Sequence, residues 1–108
     1  IGDIIIARIR GVPTQEILEE CQDRILALVK DTSKGLVLHD CLEMETPQVE
    51  VPLSQWKLDE RLKGIRLRRA VVVPNTKLAY LARLAFGEAD VKVFYNDMAA
   101  ALAFLTNP

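Results

Sequence analysis

The sequence predicts an α/β fold in which helices pack on a sheet of four or five strands. Two observations support this fold class. Short runs of apolar, often β-branched residues alternate along the chain with segments whose apolar residues recur at helical spacing. The alternation is tightest over residues 68–105, which read strand, helix, strand, helix with almost no sequence between them. Such an order requires a sheet on which the helices pack.

The composition indicates one soluble globular domain. A chain of 108 residues, half of them apolar and 27% charged, can remove roughly two-thirds of its unfolded surface from water. The formal net charge of -1 gives no general attraction to nucleic acid or anionic membranes. No apolar run approaches the roughly 20 residues that span a bilayer, and the first residues lack the basic start of a signal peptide. We therefore expect a cytoplasmic protein.

The first third of the chain predicts a strand, a helix and a second strand. Ile4–Ile9 is apolar throughout its first half, and a Gly-Val-Pro segment then ends the extended run. Thr14 is a suitable cap for a helix that continues to about Lys30. Leu36–His39 then has the apolar character of a buried parallel strand. The charged face of this helix, which includes Gln22, is expected to face water. The apolar stripe is expected to face the core and consists of Ile17, Cys21, Ile25 and Leu28.

The middle of the chain is the least regular part. Pro47 and Pro52 bracket Val49–Val51, and they argue against a helix through that region. Two interpretations remain for the bracketed residues, an extended loop or a short edge strand, and the prolines favour the loop. From Ser54 the apolar spacing becomes helical and continues to about Gly64.

The last third predicts two strands and two helices. Ala70–Val73 is a β-branched run, and Asn75 with Thr76 supplies a turn and a cap for the next helix, which Gly87 ends. Val91–Phe94 is the following strand. Asn96 and Asp97 then cap a final helix whose apolar stripe is Met98, Ala101, Leu102 and Leu105.

Several segments, taken in their order and spacing, resemble a known family. They are a turn before a long helix, a strand that ends in Asp, two further apolar strands and an alanine-rich terminal helix, that is, Gly11–Thr14, Leu36–Asp40, Arg69–Val73, Val91–Phe94 and Ala99–Leu105. Together they resemble the small STAS domain proteins related to the sporulation anti-anti-sigma factor, in the branch that is likened to Sec14-type folds. The resemblance spans nearly the whole chain.

This resemblance implies a mixed sheet with helices mainly on one face, and a role in binding partners or small ligands rather than in catalysis. The best-characterised members carry an Asp-Ser-Ser-Gly-like segment whose serine is phosphorylated at the start of the second helix. Here Cys41–Pro47 follows the strand, and the hydroxyl residues between Asp40 and Gly64 are Thr46 and Ser54. The chain therefore departs from the phosphoserine switch. The likeness to lipid-binding Sec14-type folds leaves ligand binding open.

The strongest chemical grouping is His39, Asp40 and Cys41, because it lies where a strand of an open α/β sheet ends. Ligands commonly bind at such strand ends. His39 and Cys41 share one side of the segment if it stays extended. A nucleophilic cysteine needs a base within hydrogen-bond reach and a group that orients the base, which neighbouring residues seldom provide. We therefore favour a structural role for all three and expect no catalytic residue and no enzyme activity.

Metal, cofactor and nucleic-acid sites are not expected. One histidine and two distant cysteines do not make a zinc site, and the carboxylates of Glu43 and Glu45 alone do not make a site for a hard cation. A basic run lies between residues 61 and 69, but no aromatic residues alternate with it, so it favours an acidic protein partner over nucleic acid.

The leading hypothesis is a non-enzymatic regulatory or interaction module that resembles an anti-sigma factor antagonist. It would bind a protein partner through the irregular, charged segment and the helix after it, since loops on a rigid scaffold usually carry function. The alternative is a carrier of a small apolar ligand or lipid, with a pocket under the same segment. The candidate residues for either role are Asp40, Cys41, Glu43, Met44, Glu45, Thr46, Ser54 and Trp56.

A homodimer is compatible with the sequence. Leu84 and Phe86 lie on an apolar helix face that could pack against a second copy, although the sequence does not separate such a face from core.

Overall fold

The computed structural model describes residues 3–32, 35–48, 50–51, 53, 67–86 and 91–106. In chain order the elements are β1 (Ile4–Arg8), α1 (Gln15–Thr32), β2 (Leu36–Asp40), β3 (Arg68–Val73), α2 (Thr76–Phe86), β4 (Val91–Tyr95) and α3 (Met98–Thr106). The predicted α/β fold is confirmed. None of the described helices is long and apolar enough to cross a membrane.

The four described strands form one sheet in the order β1-β2-β3-β4, and every pair is parallel. The expectation of a mixed sheet is thus not confirmed for the described residues. β2 and β3 have a strand on each side, whereas β1 and β4 lie at the two edges of this sheet. Connections between neighbouring parallel strands run over a face of the sheet, and α1 and α2 each form part of such a connection.

Helices α1 and α2 pack on one face of the sheet. Near β1 and β2, Ile25 of α1 is buried with Ile5 and Val37. Near β3, Leu78 of α2 is buried with Val71 and other residues of the same face. The alternation of side chains along a strand places the odd-numbered residues of β1, β2 and β3 on this face.

Helix α3 covers the opposite face. Its Ala101 and Leu105 are buried against Leu38, Ala70 and Val72, which are the even-numbered residues of β2 and β3. Because α3 packs on β2, β3 and β4, the part of this face formed by β1 has no helix over it among the described elements. Ile6 of β1 is consequently 40% exposed.

The predicted helix caps are confirmed. The backbone N–H of Ile17 donates to Thr14 Oγ1 at 3.2 Å, and that of Leu78 donates to Asn75 Oδ1 at 2.8 Å. Asp97 Oδ1 accepts from Ala100 N–H at 2.9 Å. Each cap satisfies a donor in the first turn that has no partner within its helix, so these helix starts are specified locally.

The predicted stripe of α1 is partly wrong. Ile17 and Leu28 are 45% and 46% exposed, whereas Gln22, which we expected to face water, is 4% exposed. The helix packs on an edge strand, and the face it buries is rotated toward Gln22 and Ile25. One side of the apolar stripe is therefore left in solvent. Leu102 of α3 is also exposed, at 37%, on the flank of its helix.

The expectation of an extended loop or edge strand at Val49–Val51 is wrong for the residues described there, because residues 50–51 and 53 are helical. Val51 N–H donates to the carbonyl oxygen of Gln48 at 3.0 Å and closes a turn. Pro47 precedes the helical residues, so its missing N–H removes no bond within the turn. The predicted helix from Ser54 to Gly64 lies outside the described residues.

Candidate functional site

The candidate site lies where β1, β2 and β3 end at the same edge of the sheet. The ladder continues slightly past the strands, because Cys41 N–H donates to the carbonyl oxygen of Val72 at 2.9 Å and Ile9 N–H donates to that of Asp40 at 3.1 Å. In open α/β sheets this carboxyl edge is where ligands usually bind. Residues 41–48, called the 41–48 loop below, leave β2 there and cross this edge.

The 41–48 loop is fixed to the chain that follows β1. Gly11 N–H donates to the carbonyl oxygen of Glu43 at 3.1 Å, and Glu45 N–H donates to that of Gly11 at 2.8 Å, so Gly11 and Met44 form a parallel bridge. Gly11 has φ of 71°, a conformation that favours glycine. A Cβ at this position would meet no atom within 4 Å, so the requirement for glycine comes from the backbone and not from crowding.

Under the 41–48 loop lies an apolar cavity of about 60 Å³. The strand ends contribute one wall, α1 and α2 a second, and the loop a third, through residues such as Ile9, Leu18, Cys41, Met44, Val71 and Leu78. A single water needs about 10–15 Å³ of such space, and pockets for drug-sized ligands measure about 300–1,000 Å³. In this conformation the cavity fits a small apolar group and is too small for a lipid chain.

His39 and Cys41 both line the cavity, which confirms that they share one side of the extended segment. Burial, and secondarily the positive charge of Arg69, lowers the pKa of His39 to about 3. Burial, with smaller contributions from Asp40 and Cys21, raises the pKa of Cys41 to about 12. Both side chains are therefore neutral at pH 7. A neutral buried thiol is a poor nucleophile, so Cys41 serves as a packing residue in the cavity wall.

Asp40 points to the opposite face and holds the sheet edge together. Its Oδ2 accepts from Arg8 Nε at 3.0 Å, and its Oδ1 accepts from Leu42 N–H at 3.2 Å. Asp40 is 6% exposed, so it is not accessible to a partner. Its function is to join β1 to β2 and to start the 41–48 loop.

The other predicted site residues of the loop separate into two sets. Glu43, Glu45 and Thr46 are exposed on the outer surface, where Glu43 Oε2 lies 2.8 Å from Arg10 Nε. Met44 is partly buried and lines the cavity with Cys41. Ser54 and Trp56 lie outside the described residues.

Several cavity residues were not predicted from the sequence. Pro13, Leu18 and Leu81 line the cavity, yet as isolated sequence positions they are ordinary apolar residues. The rule that sites form at carboxyl ends of strands indicates the segment after β1, and hence Pro13, but the side chains from α1 and α2 carry no comparable signal. Leu84, proposed as part of a dimer face, packs against the core cluster instead.

No group of three or more potential metal ligands occurs among the residues that the structure describes. Comparisons of the chain with protein-family models, with curated proteins and with solved structures returned no match.

Proposed function

We propose that the chain is a non-enzymatic interaction module that binds a protein partner through the outer surface of the 41–48 loop, in the manner of an anti-sigma factor antagonist without the phosphoserine switch. The observation that supports this most is the contrast across the loop. Exposed Glu43 and Glu45 lie outside, whereas the groups with catalytic potential, His39 and Cys41, are buried and neutral beneath it.

The fixed backbone of the loop favours binding. Its two hydrogen bonds with Gly11 hold the loop in one conformation before a partner arrives. A preordered loop loses less conformational entropy on binding than a mobile one. The loop can thus present its carboxylates at a constant spacing.

The charge of the loop indicates the chemistry of the partner. Glu43 is paired with Arg10, but Glu45 has no ion-pair partner among the described residues. A basic partner surface would pair with Glu45 and compete for Glu43, and such complementarity raises association rates and selects partners. We therefore expect binding that weakens with ionic strength.

The test is affinity capture from the host lysate with the double variant Glu43→Lys and Glu45→Lys. The matched control is Glu19→Lys with Asp31→Lys, two exposed carboxylates on α1. We expect the wild-type chain and the control to retain the same partner, and the loop variant to lose it while its thermal unfolding is unchanged. Equal capture by all three proteins would refute this function for the loop.

A second function, binding of a small apolar ligand, is favoured by the cavity under the loop. Its size limits the ligand to a few heavy atoms unless the loop moves outward. Native mass spectrometry of the chain from its own host would detect a retained ligand, and Cys41→Leu, which adds volume to the cavity wall, should abolish retention. Absence of any ligand mass in the wild-type chain would count against this alternative.

A further inference from the structure

We propose that the free edge of β1 and the adjacent side of α1 form a homodimer interface, in which two copies join their sheets into one continuous sheet of eight strands. This surface is separate from the 41–48 loop, so the inference goes beyond the function proposed above and does not depend on it. Four kinds of observation support it, namely the unpaired part of the β1 edge, the exposed apolar side chains of α1, a common axis for strand and helix, and self-complementary charge.

The edge of β1 at Ile6 and Arg8 has no neighbouring strand among the described residues. β1 pairs with β2 on one side only, and the bond from Ile9 N–H to Asp40 shows that odd-numbered residues direct their backbone groups to β2. The N–H and C=O groups of Ile6 and Arg8 therefore point away from the sheet, where the described residues provide no further strand. Proteins commonly protect such edges with proline, lysine or a bulge, and Ile4–Arg8 contains neither proline nor lysine.

A groove with both apolar and charged lining residues follows this edge, and Arg8, Arg10, Glu20 and Arg24 are the charged ones. The groove has a volume of about 430 Å³ and lies between β1 and α1. Ile17 and Leu28 of α1 line the groove and are 45% and 46% exposed, with Cys21 half-buried between them. The side chain of Ile6, which is 40% exposed, lies on the opposite face of the strand. Two large apolar side chains exposed on one helix, beside a strand edge without a neighbouring strand among the described residues, mark an interaction surface.

One two-fold axis brings both β1 and α1 next to their copies in the second chain. Ile5 packs with Ile25, and Ala7 and Cys21 lie against the same cluster, so the point of α1 between Cys21 and Ile25 lies over Ile6. An antiparallel pair with Ile6 opposite Ile6 of the second copy places the two-fold axis midway between the two β1 strands, level with that point of α1. The same axis brings Ile17 of one α1 toward Leu28 of the other, because their midpoint falls between Cys21 and Ile25.

The charges on α1 fit a second copy. Glu20 and Arg24 lie on either side of the axis, and within one chain Arg24 Nη2 is 2.8 Å from Glu20 Oε1. When two such helices run antiparallel, Glu20 of each copy faces Arg24 of the other. The side of α1 formed by Ile17, Glu20, Arg24 and Leu28 is therefore self-complementary, as an isologous interface requires. Its two ends are apolar, and its centre carries opposite charges.

The first experiment is sedimentation equilibrium of the whole chain from low to high micromolar concentration. We expect a reversible monomer–dimer equilibrium for the wild-type chain. Ile6→Lys places a charge at the centre of the open edge and should weaken dimerisation at least about tenfold. The matched control is Tyr80→Lys on α2, which also replaces an exposed apolar residue but lies away from β1, and it should dimerise like the wild-type chain.

The second experiment separates the interface from any effect within one helix. Glu20→Arg and Arg24→Glu each create two like-charge contacts across the axis, and each should weaken self-association by about 5- to 30-fold. When the two variants are mixed, opposite charges face each other again, and native mass spectrometry should detect the heterodimer in preference to either homodimer. The contacts within each helix are unchanged by mixing, so they cannot explain this recovery.

Three results would overturn the proposal. They are a wild-type chain that stays monomeric at high concentration, a dimer that Ile6→Lys does not weaken, and a mixture of the charge variants that forms no heterodimer. A monomer whose β1 edge binds a different protein segment falls under the first of these. Partner capture through the loop would be unaffected by all three results, so the two proposals fail separately.

Discussion

β3 and β1 have similarly apolar sequences but lie in different surroundings. Val71, Val72 and Val73 of β3 are at most 1% exposed, because β3 has a strand on each side and a helix on each face. Ile6 of β1 is 40% exposed, since β1 has one neighbouring strand and one face with no helix over it among the described elements. An apolar run therefore indicates a strand, but the number of neighbours decides whether the strand is core or interaction surface.

The largest difference between β3 and β1 is expected when the same charge is placed in each strand. Val72→Lys puts an unpaired ammonium at a position with 0% exposure and should destabilise the domain by more than about 4 kcal/mol, enough to prevent folding. Ile6→Lys should cost about 1 kcal/mol or less, because the lysine can extend its ammonium into water. Urea unfolding followed by circular dichroism checks both values. A folded Val72→Lys variant would contradict the description of β3.

The next largest effect is a pH dependence from His39 in β2. Its pKa is about 3 in the folded chain and about 6.5 when exposed, so between these values the unfolded chain binds more protons. Stability is therefore full above about pH 6.5 and falls by up to about 1.4 kcal/mol for each pH unit as the pH drops toward 3.

Chemical unfolding as a function of pH measures this slope, and His39→Gln isolates it. The variant keeps the contribution of the carboxylates but loses that of the imidazole. Equal slopes for the two proteins between pH 6 and 4 would show that His39 is not buried in its neutral form.

A smaller effect is expected for the ion pair that links the edge strand to the interior. Asp40→Asn removes the charge partner of Arg8 but keeps an acceptor for Leu42 N–H, and it should cost about 1–2 kcal/mol. Glu43→Gln is the matched control, since it breaks the exposed pair with Arg10 and should change stability by less than about 0.5 kcal/mol. Equal losses in the two variants, measured by urea unfolding, would remove the distinction between the pairs.

The smallest expected effect is a difference in the rates at which the two cysteines are chemically modified. Burial raises the pKa of both thiols, and that of Cys41 reaches about 12, whereas Cys21 is partly accessible in the edge groove. Iodoacetamide should therefore modify Cys21 at least about tenfold faster than Cys41. Peptide mass mapping of the native chain at low concentration checks this ratio. Protection of Cys21 at high concentration would further support the dimer.

Part of the candidate site was predictable because it depends on chain order. The carboxyl ends of parallel strands meet at one edge, so the position of Cys41 and Met44 there follows from the strand pattern. The structure places both residues in the cavity wall. The contact between Asp40 and Arg8 could not be predicted in this way, because the two residues are 32 positions apart and no local pattern links them.

Local sequence signals specify most of the described helices and strands, whereas packing between distant segments specifies which of them are neighbours. Helix starts at Thr14, Asn75 and Asp97 are specified by caps that bond within three residues, and the β-branched runs specify strands. The strand order, the burial of Gln22 in place of Ile17, and the exposure of β1 depend on packing between distant segments. The two kinds of effect act over different distances along the chain. Capping and propensity act within a turn, whereas burial depends on every element that surrounds a residue.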